Sequence, residues 1–134
     1  FSSDNAIFAQ PEVKLGIIAG WGGTQRLSRL VGLSCSLDML LSGRMIKAQE
    51  AKDIGLIDRI FSNNLIEESL SYFKSIVCNS PNALYLTIQS VNYGFNQSFE
   101  ESLNYESQLF REAFKHPDSE IGLSAFLKKE KPRF

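Results

Sequence analysis

One carboxylate and one glycine cluster stand close together near the start of the chain. Glu12 sits among Val13, Leu15, Ile17 and Ile18, and glycines follow at 20, 22 and 23. Gln10 precedes a proline, so it is pushed out of the α region and the segment enters extended. From Thr24 onward the pattern reads as helix. A carboxylate in apolar surroundings is suited to moving protons. Bare backbone N–H groups at a helix start can hold an anion, a carbonyl or a water. The pair therefore points to acid–base chemistry. From spacing alone a second reading stays open, in which the glycines only permit a tight turn and Glu12 is one solvated acid among fifteen.

Other chemistries fit the residues less well. A phosphate-binding Walker loop needs a lysine after its last glycine, and Thr24 follows Gly23. The dinucleotide fingerprint fails because Gln25 stands where Gly or Ala is required. No order of Ser, His and Asp suggests a hydrolase triad. The single histidine, His116, lies in a Lys-His-Pro-Asp turn and reads as an exposed turn residue. No His, Cys and acidic residues share metal-ligand spacing, so no metal is expected. Cys35 and Cys78 lie in apolar helical patterns and are expected as buried free thiols in a reducing compartment.

Charge and hydropathy narrow the partners. Fourteen basic residues against fifteen acidic ones leave a net charge of −1, so no overall field favours nucleic acid or an anionic membrane. Lys128, Lys129, Lys131 and Arg133 form only a local basic end. No apolar run is long enough to span a bilayer, and no signal-peptide pattern is visible. The chain opens at Phe1 rather than Met, which suggests a processed or truncated piece.

The elements that must position Glu12 and the glycines follow from periodicity. A short strand is expected over 6–8, ended by Gln10-Pro11. A helix over 24–31, with Leu27, Leu30 and Val31 on one apolar face, stops at Gly32, and a second, capped by Ser34, ends at Gly43. Its near-continuous Leu37, Met39, Leu40 and Leu41 predict burial on most sides. A short helix over 48–54 precedes a strand over 56–61. Helices follow from Asn64, Pro81, Ser98 and Pro117, two of them opened by capping-box patterns, Asn64/Glu67 and Ser98/Glu101. Two strands against seven helices make a poor sheet by themselves, which implies that the sheet's other strands lie elsewhere. By spacing, Phe110 and Phe126 read as core or interface residues.

Residues 9–27, AQPEVKLGIIAGWGGTQRL, resemble the enoyl-CoA hydratase/isomerase (crotonase) family. The likeness continues through LSGRMIKAQEA (41–51), GLID (55–58) and EIGLSAFLKK (120–129), so it runs in order along the whole chain. It implies an α/β fold of the ClpP/crotonase-like spiral type. Residues 1–61 would be the C-terminal part of the spiral core, with the last short strands. Residues 62–134 would be the helical region that drives trimerisation and caps coenzyme A. The family's first oxyanion-hole segment, second oxyanion glycine and first glutamate are expected upstream of Phe1.

Carried over by resemblance, Glu12 is the general acid/base and the Gly20 N–H helps hold the catalytic water. Trp21 falls in the acyl-pocket region. Ala19 replaces the proline usual before that glycine. Phe110, Phe126 and Lys129 fall where the C-terminal helices form the pantetheine and adenine-phosphate end of the site. The implied reaction is hydration of trans-2-enoyl-CoA to 3-hydroxyacyl-CoA. Double-bond isomerisation, another activity of the family, or a catalytically incomplete assembly module are the alternatives. The implied substrate is an acyl-CoA thioester with no separate cofactor. The implied assembly is a homotrimer or a hexamer built from trimers. The implied location is cytoplasmic, or the mitochondrial matrix in a eukaryote. By itself the chain is expected to be inactive.

Overall fold

The computed structural model describes residues 1–134 and divides into two compact units, Phe1–Leu70 and Ser71–Phe134. The division falls inside a helix, α3 (Leu65–Val77).

The first unit holds all the strand structure. β1 (Ser2–Ser3) runs parallel to β4 (Ile60–Phe61), with Ser2 opposite Ile60. β2 (Ile7–Phe8) runs antiparallel to β3 (Ile46–Lys47), with Phe8 opposite Ile46. Each ladder is two residues long. The expected strand over 56–61 pairs only at its end. Gly55 turns the chain at φ 80°, and the N–H groups of Leu56 and Ile57 both donate to Ala51 O at 2.8 and 3.2 Å. Those donors are therefore unavailable to a ladder.

α1 (Gly23–Ser42) breaks at Gly32, whose φ 81° and ψ 167° are not helical, so the two helices expected on either side of Gly32 are both there. Leu27 and Met39, one from each segment, meet Ile46 of β3 and Ala51 of α2 (Ala48–Asp53) in the core. Phe8, Val31, Leu40, Ile54, Leu56 and Ile57 pack around them. The second segment of α1 is not buried on most sides as expected. Met39 is 2% exposed, but Leu41 is 72% exposed, because within this chain only one face has a partner.

The second unit is helical: the end of α3, then α4 (Pro81–Gly94), α5 (Phe99–Lys115) and α6 (Pro117–Lys128). Its helix starts follow the sequence closely. Ser80 accepts from Ala83 N–H at 3.0 Å, and Pro81 takes the first helical position, where its missing N–H costs nothing. Ser98 and Glu101 form the full reciprocal capping box. α4 and α5 pack through Leu86 and Leu109, with Tyr93 against Tyr105 at 4.1 Å between ring centroids. α6 is fastened by Ser80 Oγ, which donates to Asp118 Oδ2 at 2.6 Å.

Two expectations about side chains need correction and one is narrowed. Cys35 is half-buried and Cys78 exposed, so neither thiol is sealed in a core. Phe110 and Phe126 are 67% and 78% exposed, which removes the core reading and leaves the interface one open. Leu30, expected on the buried face with Leu27, is also exposed. No helix is long and apolar enough to cross a membrane.

Candidate active site

The segment from Gln10 to Gly23 is a run of tight turns held against the N-terminus of α1. Pro11 starts a single 3₁₀ turn, Glu12–Leu15, closed by Gly16 in the left-handed region. Lys14 N–H donates to Pro11 O at 2.9 Å, and Ile17 N–H donates to Glu12 O at 3.3 Å. The Glu12 backbone is thus pinned from both sides. The C-cap of α1 presses on the same turn. Gly43 is buried with φ 56°, and a Cβ there would lie 3.2 Å from Pro11 Cα and 3.1 Å from Lys14 Cε.

The Glu12 side chain is half-buried, but apolar neighbours do not enclose it. Leu15, Ile17 and Ile18 are 76%, 59% and 76% exposed. Its partner is polar. With the Gln10 amide nitrogen turned toward it, that nitrogen lies 3.0 and 3.1 Å from the two carboxylate oxygens. The sequence assigned Gln10 no role. No local spacing rule signals it, because Pro11, at φ −85° and ψ 5°, and the 3₁₀ turn fold the carboxylate back toward Gln10.

The glycine cluster makes the second half of the site. Gly23 N–H donates to Gly20 O at 2.7 Å, and Gly22 O accepts from Gln25 and Arg26 N–H at 3.1 and 2.8 Å. Gly20 is exposed, and its own N–H enters none of these bonds. Trp21 and Gly22 both take positive φ, 52° and 79°. For an aromatic residue that conformation costs about 1–2 kcal/mol. The Trp21 side chain is 100% exposed, so packing within this chain does not compensate the strain.

The structure therefore brings Glu12, Gly20 and Trp21 onto one turn system. The other three candidates belong to the second unit. Phe110 lies 6.2 Å from Phe114 between ring centroids and lines a groove of about 250 Å³ between α4 and α5. Phe126 stands near the end of α6. Lys129 is the C-cap of that helix, in the left-handed region at φ 56°. His116, as expected, is an exposed turn residue. It closes α5 and opens α6, where its Nδ1 accepts from Asp118 N–H at 3.3 Å.

The sequence profile of the enoyl-CoA hydratase/isomerase family matches residues 1–134. The chain belongs to the enoyl-CoA hydratase/isomerase family. A short-chain-enoyl-CoA hydratase of Clostridium acetobutylicum is 40% identical over 131 residues, 97% of this chain and 50% of the relative. A short-chain-enoyl-CoA hydratase of Clostridioides difficile is 38% identical over 126 residues, 93% of this chain and 81% of the relative. The crystal structure of an enoyl-CoA hydratase from Bacillus anthracis superposes with a TM-score of 0.92 at 33% identity. It covers 98% of this chain and 52% of the other. The chain spans about half the length of most of the curated relatives it matches. The fold is the crotonase fold of this family, and the short paired strands with a helical second unit correspond to its C-terminal part.

Proposed function

We propose that this chain carries the proton-transferring half of an acyl-CoA site and that the complete protein hydrates trans-2-enoyl-CoA. One observation carries the reading: a half-buried carboxylate, Glu12, stands on a pinned turn, and its partner Gln10 packs against Gly23 of the helix-start glycine turn. Hydration adds hydroxyl to the β-carbon and a proton to the α-carbon of the enoyl thioester, consuming one water. Glu12 moves protons at that water or at the reacting carbons, and the Gly20 N–H orients the water. Two backbone donors elsewhere in the complete site polarise the thioester carbonyl and stabilise the enolate-like transition state. Trp21 faces the acyl chain, and Phe110, Phe126 and Lys129 serve the coenzyme A end.

The names of the relatives support hydratase over isomerase. Isomerisation of the double bond remains the second reading, because one carboxylate at Glu12 suffices for it. Homotrimers, alone or paired into hexamers, are the proposed assembly. The support is the apolar surface of the second unit, where Val77, Ile88, Val91, Phe99 and Phe110 are all more than 60% exposed. The proposed location is the cytoplasm, or the mitochondrial matrix in a eukaryote. Bacterial and mitochondrial proteins are both among the relatives.

The test is Glu12→Gln in the complete gene product, following the loss of crotonyl-CoA absorbance. A proton-transfer residue contributes about 10²–10⁴-fold, so activity should fall at least about a hundredfold. A variant within about tenfold of wild type removes Glu12 from the mechanism.

A further inference from the structure

We infer that Gln10 is a positioning residue that holds the Glu12 carboxyl in both of its protonation states. The inference rests on the assignment of Glu12 as the acid/base and goes beyond it. Its basis is geometric. With the amide turned so that its nitrogen faces Glu12, that nitrogen lies 3.0 and 3.1 Å from the two carboxylate oxygens, so it can donate to the ionised group and fix its plane. Gln10 is itself half-buried. Its amide lies 3.5 Å from where a Cβ on Gly23 would be, packed against the first turn of α1. Pro11 between the two residues fixes one backbone torsion of the short link.

An amide suits a group that gains and loses a proton. Its –NH₂ donates to a carboxylate, and its carbonyl oxygen accepts from a carboxylic acid. Turning the Gln10 amide over exchanges nitrogen for oxygen in nearly the same place. The oxygen then faces Glu12, where only a protonated Glu12 has a hydrogen to give it. One residue thus partners Glu12 before and after each proton transfer, with no net proton gained or lost by Gln10. A lysine could only donate, and an aliphatic side chain could do neither.

The experiment uses the complete gene product with crotonyl-CoA and compares Gln10→Met, Gln10→Lys and Gln10→Asn, each also in a Glu12→Gln background. A hydrogen bond to a charged group supports a loss of about tenfold to a hundredfold. Gln10→Met should lower kcat by that factor and leave KM within about threefold. Gln10→Lys should also be impaired, because it cannot accept from the protonated acid. Gln10→Asn keeps the amide one methylene short and covers the case in which Gln10→Met fails to fold. It should be slowed while its Tm stays near wild type. In the Glu12→Gln background all three should cost less than about twofold more.

Gln10→Met at wild-type kcat overturns the role, as does an equal loss with and without Glu12, which marks ordinary packing. Gln10→Lys at full rate overturns the two-state part. If Glu12→Gln alone is active, the fault lies in the assignment of Glu12. Independently of turnover, the Gln10 side-chain amide protons of the labelled protein should move when Glu12 is changed to Gln. If they do not, the contact is absent.

Discussion

The two units solve different problems with the same chain. Phe1–Leu70 uses glycine and backbone. Gly16, Gly22, Gly32, Gly43 and Gly55, all at positive φ, lie in it, and Gly16, Gly22 and Gly43 shape or press on the turns that carry Glu12 and Gly20. Its core, Leu27, Met39, Ile46 and Ala51, is sealed to 6% exposure or less. Ser71–Phe134 uses helix caps instead, at Ser80, Ser98 and His116, and seals only Leu86 and Leu109 among its apolar side chains. Precise geometry needs a sealed core of its own, because backbone at unusual torsions persists only where packing over-determines it. A capped helix keeps its shape with less, and leaves its apolar face for another surface.

The largest effect that would test this contrast is a cavity. Met39 is 2% exposed and Leu109 8%. Large-to-small changes in a packed core cost about 2–5 kcal/mol. Met39→Ala should therefore lie near the upper end, and Leu109→Ala near or below the lower, since the α4–α5 groove beside it is already open. Hydrogen exchange followed separately in each unit measures both. Equal losses would mean that the second unit is as tightly packed as the first, and the contrast would fail.

A smaller effect separates backbone aim from packing. Gly43→Ala places a Cβ at 3.2 Å from Pro11 Cα and forces a non-glycine residue to φ 56°. The expected cost is about 1–2 kcal/mol of stability. The activity of the complete protein should fall further than that loss explains, because the displaced turn carries Glu12. A variant that loses stability but keeps kcat would show that Gly43 only ends α1 and does not aim the acid.

What the sequence revealed divides along the same line. The turns that carry Glu12, Gly20 and Trp21 were legible because the local order, proline then glycines then helix, is itself what shapes them. The caps of the second unit were legible for the same reason, since Ser98 and Glu101 need only three residues of chain. β1 and β3 were missed because each is two residues paired to a strand far along the chain, a distance that local propensity does not see. Gln10 was quoted but given no role, since its contact exists only once Pro11 and the 3₁₀ turn fold the carboxylate back. The burial of α1 was overestimated because Leu37 and Leu41 are apolar for a surface this chain does not supply. The apolar neighbours of Glu12 misled in the same way. They promised a dry pocket, and within this chain they face solvent.

The smallest effect is electrostatic, and it distinguishes the units by mechanism. Each has one carboxylate held below its ordinary range. Glu50 in the first unit is lowered chiefly by the hydrogen bond from Arg44, which also pairs with Asp38 at 2.6 Å. Glu101 in the second is lowered by the Ser98 hydroxyl and then the Ser98 N–H, at 2.6 and 3.1 Å from Oε2. A depressed carboxylate adds stability that is fully present above its unfolded value and is lost as pH falls through the folded one. Both contributions should therefore hold from neutral pH down to the ordinary glutamate value of 4.5 and decline below it. Salt should tell them apart. At about 1 M the screening length shrinks to about 3 Å, which weakens the exposed Arg44 pair but leaves a neutral hydroxyl donor nearly untouched. Acid titration followed by hydrogen exchange should thus show a salt-sensitive decline around α2 and a salt-insensitive one at the start of α5. If salt flattens both, Glu101 is held by the charge field of its surroundings, and the capping box does not account for its stabilisation.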